Sequence, residues 1–141
     1  MKKTISLFVA ISIFSIIAIT TSSASAQDSK KVASGLTDSK YKACIDACNT
    51  CITSCKKVDN MCSKEKNPKM AECQKLCKKC ITSCRDAVKL MKSNDANCKS
   101  KCLECAKICE KCAAECDKFD MADCKKCATD CRTAMKSCKD M

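Results

Sequence analysis

Apolar positions in most of the chain recur at alternating steps of three and four residues, and cysteine fills many of them. Residues 44–55 read CIDACNTCITSC, and residues 73–84 read CQKLCKKCITSC. Residues three or four apart lie on one face of an α-helix, so each run places four thiols in a single stripe. Lysines and acidic residues occupy many of the positions between them. The pattern predicts amphipathic helices whose buried side is made largely of cysteine.

Interruptions of this pattern divide it into four helices. Asn67 and Pro68 form a start signal, with asparagine as the cap and proline in the first turn. The other caps are expected at Asp38 or Ser39, at Ser93-Asn94-Asp95 and at Asp120. The helices should cover about 38–62, 68–92, 95–118 and 120–140. Because the connections are short, the predicted fold class is all-α: an antiparallel up-and-down four-helix bundle with a cysteine-lined core.

The first 26 residues follow a different pattern. Lys2 and Lys3 precede an apolar run from Ile5 to Ile19, and small residues surround Ser25. This order is typical of a cleavable secretory signal, and the run is short for a membrane span of about 20 residues. We therefore expect a signal peptide at 1–26, a polar linker at 27–37 and the bundle at 38–141. The protein should be exported, either periplasmic or secreted.

Counting heptads places every cysteine at an inward position of its own helix. The chain has 19 cysteines in 141 residues, and none of them lies in the signal peptide. All 19 are candidate metal ligands: Cys44, Cys48, Cys51, Cys55, Cys62, Cys73, Cys77, Cys80, Cys84, Cys98, Cys102, Cys105, Cys109, Cys112, Cys116, Cys124, Cys127, Cys131 and Cys138.

A core that served packing alone would favour leucine and valine, which bury more apolar area and are not oxidised. Thiolates instead select soft ions: Cu(I), zinc or iron–sulfur clusters. Structural zinc usually uses CxxC knuckles on turns, whereas the CxxC pairs here lie in mid-helix, and no CxxCxxCxxxCP run occurs. CxxxC pairs on one helix face suit Cu(I), so several Cu(I) ions per chain are expected. Eight CxxxC pairs can be formed in which no cysteine is used twice: 44/48, 51/55, 73/77, 80/84, 98/102, 105/109, 112/116 and 127/131.

Two other interpretations stay open at this point. Export together with much cysteine suggests disulfides, but the number is odd, and helical neighbours lie about 5–6 Å apart at Cβ where a disulfide needs about 3.5–4.5 Å. Interhelical disulfides are not excluded by these distances, so an exported helical scaffold is one alternative. A general thiol protein that binds zinc or cadmium is the other, because it would use the same residues.

Enzymatic and nucleic-acid functions are disfavoured. The chain has no histidine and no inward pair of carboxylates, so a thiol nucleophile would have no base beside it. The chain has a net charge of +11, its charged residues beyond the signal are spread over all four helices, and beyond the signal only Tyr41 and Phe119 are aromatic. We expect no nucleic-acid partner, and no membrane partner once the signal is cleaved.

The repeated CxxxCxxCxxxC motif resembles that of the bacterial four-helix-bundle copper storage proteins. The likeness covers about residues 38–141 and rests on CIDACNTCITSC, CQKLCKKCITSC, CKSKCLECAKIC and CKKCATDC. It implies a bundle whose interior thiolates bind many Cu(I) ions, commonly assembled as a tetramer, with storage or sequestration as its function rather than catalysis. A copper donor or acceptor protein is a further expected partner.

The chain departs from this family pattern in two ways. Relatives often carry histidine and methionine at the open mouth of the bundle, and this chain has no histidine. The candidate point at which metal enters is therefore the end where Met61, Met70 and Met121 meet beside Cys62. In addition, exported relatives tend to carry twin-arginine signals, whereas Lys2 and Lys3 stand here. This difference predicts export of an unfolded chain and copper loading outside the cytoplasm.

Overall fold

The computed structural model describes residues 26–141, with side chains from Lys40 onward, and is helical in nearly all of this range. The predicted signal peptide thus lies outside the described residues apart from Ala26, and it stays a prediction. The elements are α1 (Ala26–Glu65), a 3-10 helix (Pro68–Met70), α2 (Ala71–Ser93), α3 (Cys98–Cys116) and α4 (Ala122–Lys139).

The four α-helices form a closed ring. Each packs on the helix that precedes or follows it, and α1 also packs on α4. Short connections turn the chain back between successive helices, which confirms the predicted antiparallel up-and-down four-helix bundle. Its core is lined by cysteine, as predicted. Within the part of the chain that the structure describes, no helix is both long and apolar enough to cross a membrane.

Larger side chains close the bundle beside the thiol stripes. Ile45 and Ile52 of α1 and Ile81 of α2 are buried at heptad positions where these two helices face each other. The facing positions of α3 and α4 hold the small residues Ala106 and Ala128, both buried. Burial of these aliphatic and small residues excludes water from the sides of the thiol-lined interior.

Asparagines lie at the start of the second helical segment and at the end of α2. Asn67 caps the 3-10 helix Pro68–Met70 rather than α2, and its side-chain oxygen accepts a hydrogen bond from the backbone N–H of Lys69 at 3.0 Å. The cap position of α2 is Met70, which makes no capping side-chain hydrogen bond. At the other end, Asn94 adopts the left-handed conformation with φ of 50°, which asparagine tolerates better than most residues. The backbone N–H of Asp95 then bonds back to the carbonyl of Leu90 at 3.0 Å. The chain is thereby turned toward α3.

The expected start of α1 is wrong. Since α1 begins at Ala26, neither Asp38 nor Ser39 caps it, and residues 27–37 are helical instead of forming a linker. This stretch contains no proline and a single glycine, Gly35, so nothing in it ends a helix.

The expected caps of α3 and α4 are corrected as well. Asp95 lies in the turn before α3, where its carboxylate accepts a hydrogen bond from the backbone N–H of Asn97 at 2.8 Å. Met121 occupies the cap position of α4, and the Asp120 carboxylate instead pairs with Lys125 at 3.2 Å. Asp95 thus stabilises the turn before α3, whereas the exposed Asp120 makes only a surface ion pair with a lysine at the start of α4.

Candidate metal centre

The 19 cysteines line the interior of the bundle along most of its length. All of them are buried, and all are free thiols. The most exposed is Cys62, at 5%. The inward register predicted from the heptads is thus what the structure shows, because the step of three and four residues keeps each stripe on one helix face.

The sulfurs make their shortest contacts across helices in the middle of the bundle. The Sγ of Cys51 lies 3.4 Å from that of Cys131 and 3.5 Å from that of Cys80. Cys55 lies 3.5 Å from Cys127 and 3.8 Å from Cys131, measured between the same atoms. Three helices therefore contribute sulfurs to one compact group.

The interface between α2 and α3 is lined in the same way. The Sγ–Sγ distances are 3.5 Å for Cys84 and Cys105, 3.6 Å for Cys80 and Cys109, and 3.6 Å for Cys73 and Cys116. Near the chain's end, Cys138 of α4 lies 3.5 Å from Cys44 and 3.7 Å from Cys48 of α1. These contacts form rows of sulfurs that run along the bundle axis.

Fewer Sγ–Sγ contacts lie within one helix than the CxxxC pairs predict. Of the eight CxxxC pairs, those at 51/55, 105/109 and 127/131 make Sγ–Sγ contacts, at 4.0, 3.9 and 3.9 Å. Most of the thiol contacts join different helices, and this pairing could not be read from a spacing within one helix. The structure thus favours sites built between helices over sites built on one helix face.

The sulfur groups have the dimensions of metal–thiolate sites. The groups whose Sγ atoms all lie within 4.8 Å of one another include 51/55/80/131, 51/80/84/109, 55/77/112/127, 44/102/138 and 48/105/138. A metal–thiolate bond of about 2.3 Å, the value for zinc, places two sulfurs of one ion about 3.8–4.6 Å apart, depending on the angle. Because the groups share members such as Cys51 and Cys138, neighbouring sites would adjoin each other.

Thiols in the middle and at one end differ in acidity. Hydrogen bonds with neighbouring thiols lower the pKa of Cys51 and Cys80, and the bond with Cys109 is the largest cause for both. At the end where Met61, Met70 and Met121 meet, which we call the methionine end, burial raises the pKa of Cys62 to about 11 and that of Cys124 to about 12. Burial disfavours the thiolate, whereas a neighbouring S–H donor stabilises it. Within the cluster the same kind of hydrogen bond, with Cys112 as the largest cause, raises the pKa of Cys55 and Cys131. Clustering therefore favours thiolate charge on some sulfurs while their neighbours stay protonated.

The structure brings the predicted methionines to one end of the core. Met70 is fully buried in the core, and Met61 and Met121 are partly buried against it. Nothing in this arrangement tests whether metal passes there, so their role stays a prediction.

The opposite end carries a feature that sequence reasoning missed. A cavity of about 720 Å³ lies there, and its lining includes Cys44 and Cys98 together with Tyr41, Asp95 and Met141. We call it the Cys98 cavity. No signal in the sequence points to it, because it depends on how far apart the helix ends stand.

Comparison with known proteins decides between the interpretations left open above. The family model described as "Csp: Copper storage protein" matches residues 37–141. The chain belongs to the copper storage protein family. Its function is thus copper storage, which the resemblance of the motifs implied, and this is a storage family rather than a family of enzymes. The disulfide scaffold and the zinc or cadmium protein are set aside.

Solved structures of copper storage proteins are similar to this chain. The Cu(I)-bound copper storage protein BsCsp3 is 36% identical with a TM-score of 0.68, over 71% of this chain and 95% of its own. Apo-Csp3 from Bacillus subtilis is 34% identical with a TM-score of 0.66, over 70% of this chain and 95% of its own. The Nmul_A1745 protein from Nitrosospira multiformis is 28% identical with a TM-score of 0.66, over 73% of this chain and 94% of its own. A search of curated protein sequences gives no match.

Proposed function

We propose that this chain stores several Cu(I) ions as thiolate complexes inside the bundle. The observation that carries the proposal is the set of overlapping sulfur groups, whose members lie within 4.8 Å of one another. Thiolate ligands favour Cu(I) over hard cations, and a similar structure is a Cu(I)-bound copper storage protein. All 19 cysteines are proposed ligands. No residue is assigned a catalytic role.

The surface charge suits a core that becomes negative on loading. Each Cu(I) held by two thiolates carries one net negative charge. Removal of residues 1–26 takes away only Lys2 and Lys3 among the charged residues, so the formal charge falls from +11 to +9. A loaded core with about eight such sites would nearly neutralise this charge, which lowers the electrostatic cost of filling.

Two ends of the bundle are candidates for the passage of copper. The methionine end offers the thioethers predicted from the sequence, which are soft ligands for Cu(I). The Cys98 cavity offers a thiol route at the other end, since its lining reaches Cys44 and so the Cys44/Cys102/Cys138 group. Loading rates decide between them: Met61→Leu with Met121→Leu slows uptake in the first case, and Cys98→Ser slows it in the second.

The cellular setting is proposed from the sequence and the family resemblance. The N-terminal residues 1–26 direct export to the periplasm or beyond, and loading takes place there on a chain that was exported unfolded. The mature protein assembles as a homo-oligomer, commonly a tetramer in this family, and exchanges copper with a donor or acceptor protein. It binds neither nucleic acid nor membrane.

An anaerobic titration tests the storage proposal. Reduced residues 27–141 are titrated with Cu(I) against a strong coloured Cu(I) chelator, and bound copper is counted per chain. Eight or more tightly bound ions are expected, since the thiols can form at least eight two-sulfur pairs. Binding of one or two ions, or displacement of copper by zinc, would overturn the proposal.

A further inference from the structure

A buried polar cluster joins α1 to α4 beside the thiols. The hydroxyl of Ser54 donates a hydrogen bond to the carboxylate of Asp130, and Lys126 Nζ donates to the same oxygen at 2.8 Å. Ser54 is 3% exposed and Asp130 is 9% exposed. A buried carboxylate is costly unless it is paired and hydrogen-bonded. Lys126 belongs to the same helix as Asp130, so the Ser54 hydroxyl is the partner that depends on how α1 packs against α4.

The same serine occurs a second time without such a partner. The motif CITSC spans residues 51–55 in α1 and 80–84 in α2. Ser83, the counterpart of Ser54, is 4% exposed, and its hydroxyl has no hydrogen-bond partner in the described part of the chain. It lines a groove between α2 and α3 with Ile108, which stands in CAKIC where Asp130 stands in CATDC. The interface between α1 and α4 therefore has a hydrogen-bonded buried serine, whereas the equivalent serine between α2 and α3 has no partner among the described residues.

The cysteine stripes alone do not determine the handedness of the bundle, that is, whether the four helices follow one another clockwise or anticlockwise. All four helices carry nearly the same inward cysteines, so the core of an up-and-down bundle would look much alike whether the ring runs clockwise or anticlockwise. In the reverse ring, the face of α1 with Ser54 would meet α2, and the face of α4 with Asp130 would meet α3. Asp130 would then keep Lys126 but lose the Ser54 hydroxyl and face Ile108, at the cost of one buried hydrogen bond to a charged group.

We propose that Asp130, held by Ser54 and Lys126, is a positioning residue that holds the Ser54 face of α1 against α4 and aligns the two helices. The alignment brings Cys51 within 3.4 Å of Cys131 and Cys55 within 3.5 Å of Cys127. Asp130 immediately precedes Cys131 and Ser54 immediately precedes Cys55, so the polar contact fixes these sulfurs directly. The inference concerns the thiols themselves, and its test needs no copper. Its failure is therefore distinct from failure of the storage proposal.

Cross-linking of the copper-free protein tests the alignment. Brief treatment with diamide, which is reduced as it oxidises two thiols to a disulfide, is followed by alkylation and peptide mapping. Wild type should yield α1–α4 links among Cys51, Cys55, Cys127 and Cys131, and α2–α3 links such as Cys73–Cys116 and Cys84–Cys105. The α2–α3 links are the internal reference, since a general loss of stability would lower both sets together.

Asp130→Ala and Ser54→Ala should lower the α1–α4 links about tenfold relative to the α2–α3 links, as expected for loss of one buried hydrogen bond to a charged group. Asp130→Asn keeps an acceptor oxygen and should restore most of the α1–α4 links. Ser83→Ala is the matched control, because it removes the same hydroxyl from the same motif, and it should leave the map unchanged.

Three results would overturn the proposal: an unchanged map in Ser54→Ala, an equal fall of both sets of links, or the same selective loss in Ser83→Ala. If Asp130→Ala does not fold, Ser54→Ala decides alone, since the Lys126–Asp130 pair remains in that variant.

Discussion

The middle of the bundle and its methionine end use the same residue in different settings. In the middle, Cys51 and Cys80 each touch sulfurs from other helices, and neighbouring thiols lower their pKa. At the methionine end, Cys62 and Cys124 are buried, and burial raises their pKa to about 11 and about 12. Hydrogen bonds among the clustered thiols favour the thiolate of some members and the protonated form of others, such as Cys55 and Cys131. At the methionine end, burial is the largest cause of the shift and favours the protonated form of both cysteines.

The largest effect should come from filling the middle with copper. Sites absent from the unfolded chain convert binding energy into stability, so loading should raise the melting temperature by more than about 15 °C. Circular dichroism melts of loaded and empty protein measure the change, and a loaded sample treated with excess chelator is the control. Equal melting temperatures would contradict the idea that copper joins the helices.

Removing thiols from the middle should lower the copper capacity more than removing thiols from the methionine end. Cys51 and Cys80 each belong to two of the sulfur groups, so the double substitution Cys51→Ser and Cys80→Ser should lower the capacity by roughly two ions per chain. The matched double substitution Cys62→Ser and Cys124→Ser should cost at most about one ion. The chelator titration counts both. A larger loss at the methionine end would reverse the comparison.

Alkaline pH should weaken the empty protein through the thiols of the methionine end. The unfolded thiol has a pKa of 9.0, and burial raises that of folded Cys62 to about 11. Below pH 9.0 both states are protonated and nothing is lost. As pH rises through 9.0 toward about 11, the unfolded chain releases its proton first, so stability falls.

Denaturant unfolding under reducing conditions over this pH range measures the fall in stability. The variant with Cys62→Ser and Cys124→Ser should show a smaller decline than wild type, because two of the thiols with raised pKa are gone. An identical pH dependence in the two proteins would show that the methionine end does not contribute to it.

The smallest effect is expected from making the methionine end more like the middle. Val58 is fully buried and occupies the inward position of α1 between Cys55 and Cys62. Val58→Cys should add capacity for at most about one ion and change the empty protein's stability by less than about 1.5 kcal/mol, as for similar-sized core substitutions. Copper counting and urea unfolding check the two values. Val58→Ala, which leaves space but adds no thiol, should bind no additional copper.

Much of this protein could be predicted from its sequence because the decisive signals are local. The step of three and four residues fixes the inward face of each helix whatever the helix packs against, so all 19 thiols could be assigned to the core. Asn67 and Pro68 located a break, and the short connections implied the antiparallel ring. The motif spacing also carried the resemblance that the family match from residue 37 to 141 bears out.

The tertiary structure alone decided which thiols meet. A heptad count does not say that Cys51 lies against Cys131 or that Cys138 lies between Cys44 and Cys48, because these contacts depend on how far one helix slides along another. That alignment depends on side chains between the stripes, such as the matched pair Ser54 and Asp130. The Cys98 cavity depends on the spacing of helix ends in the same way. Periodicity is a property of one helix, whereas a site shared by several helices is a property of their packing.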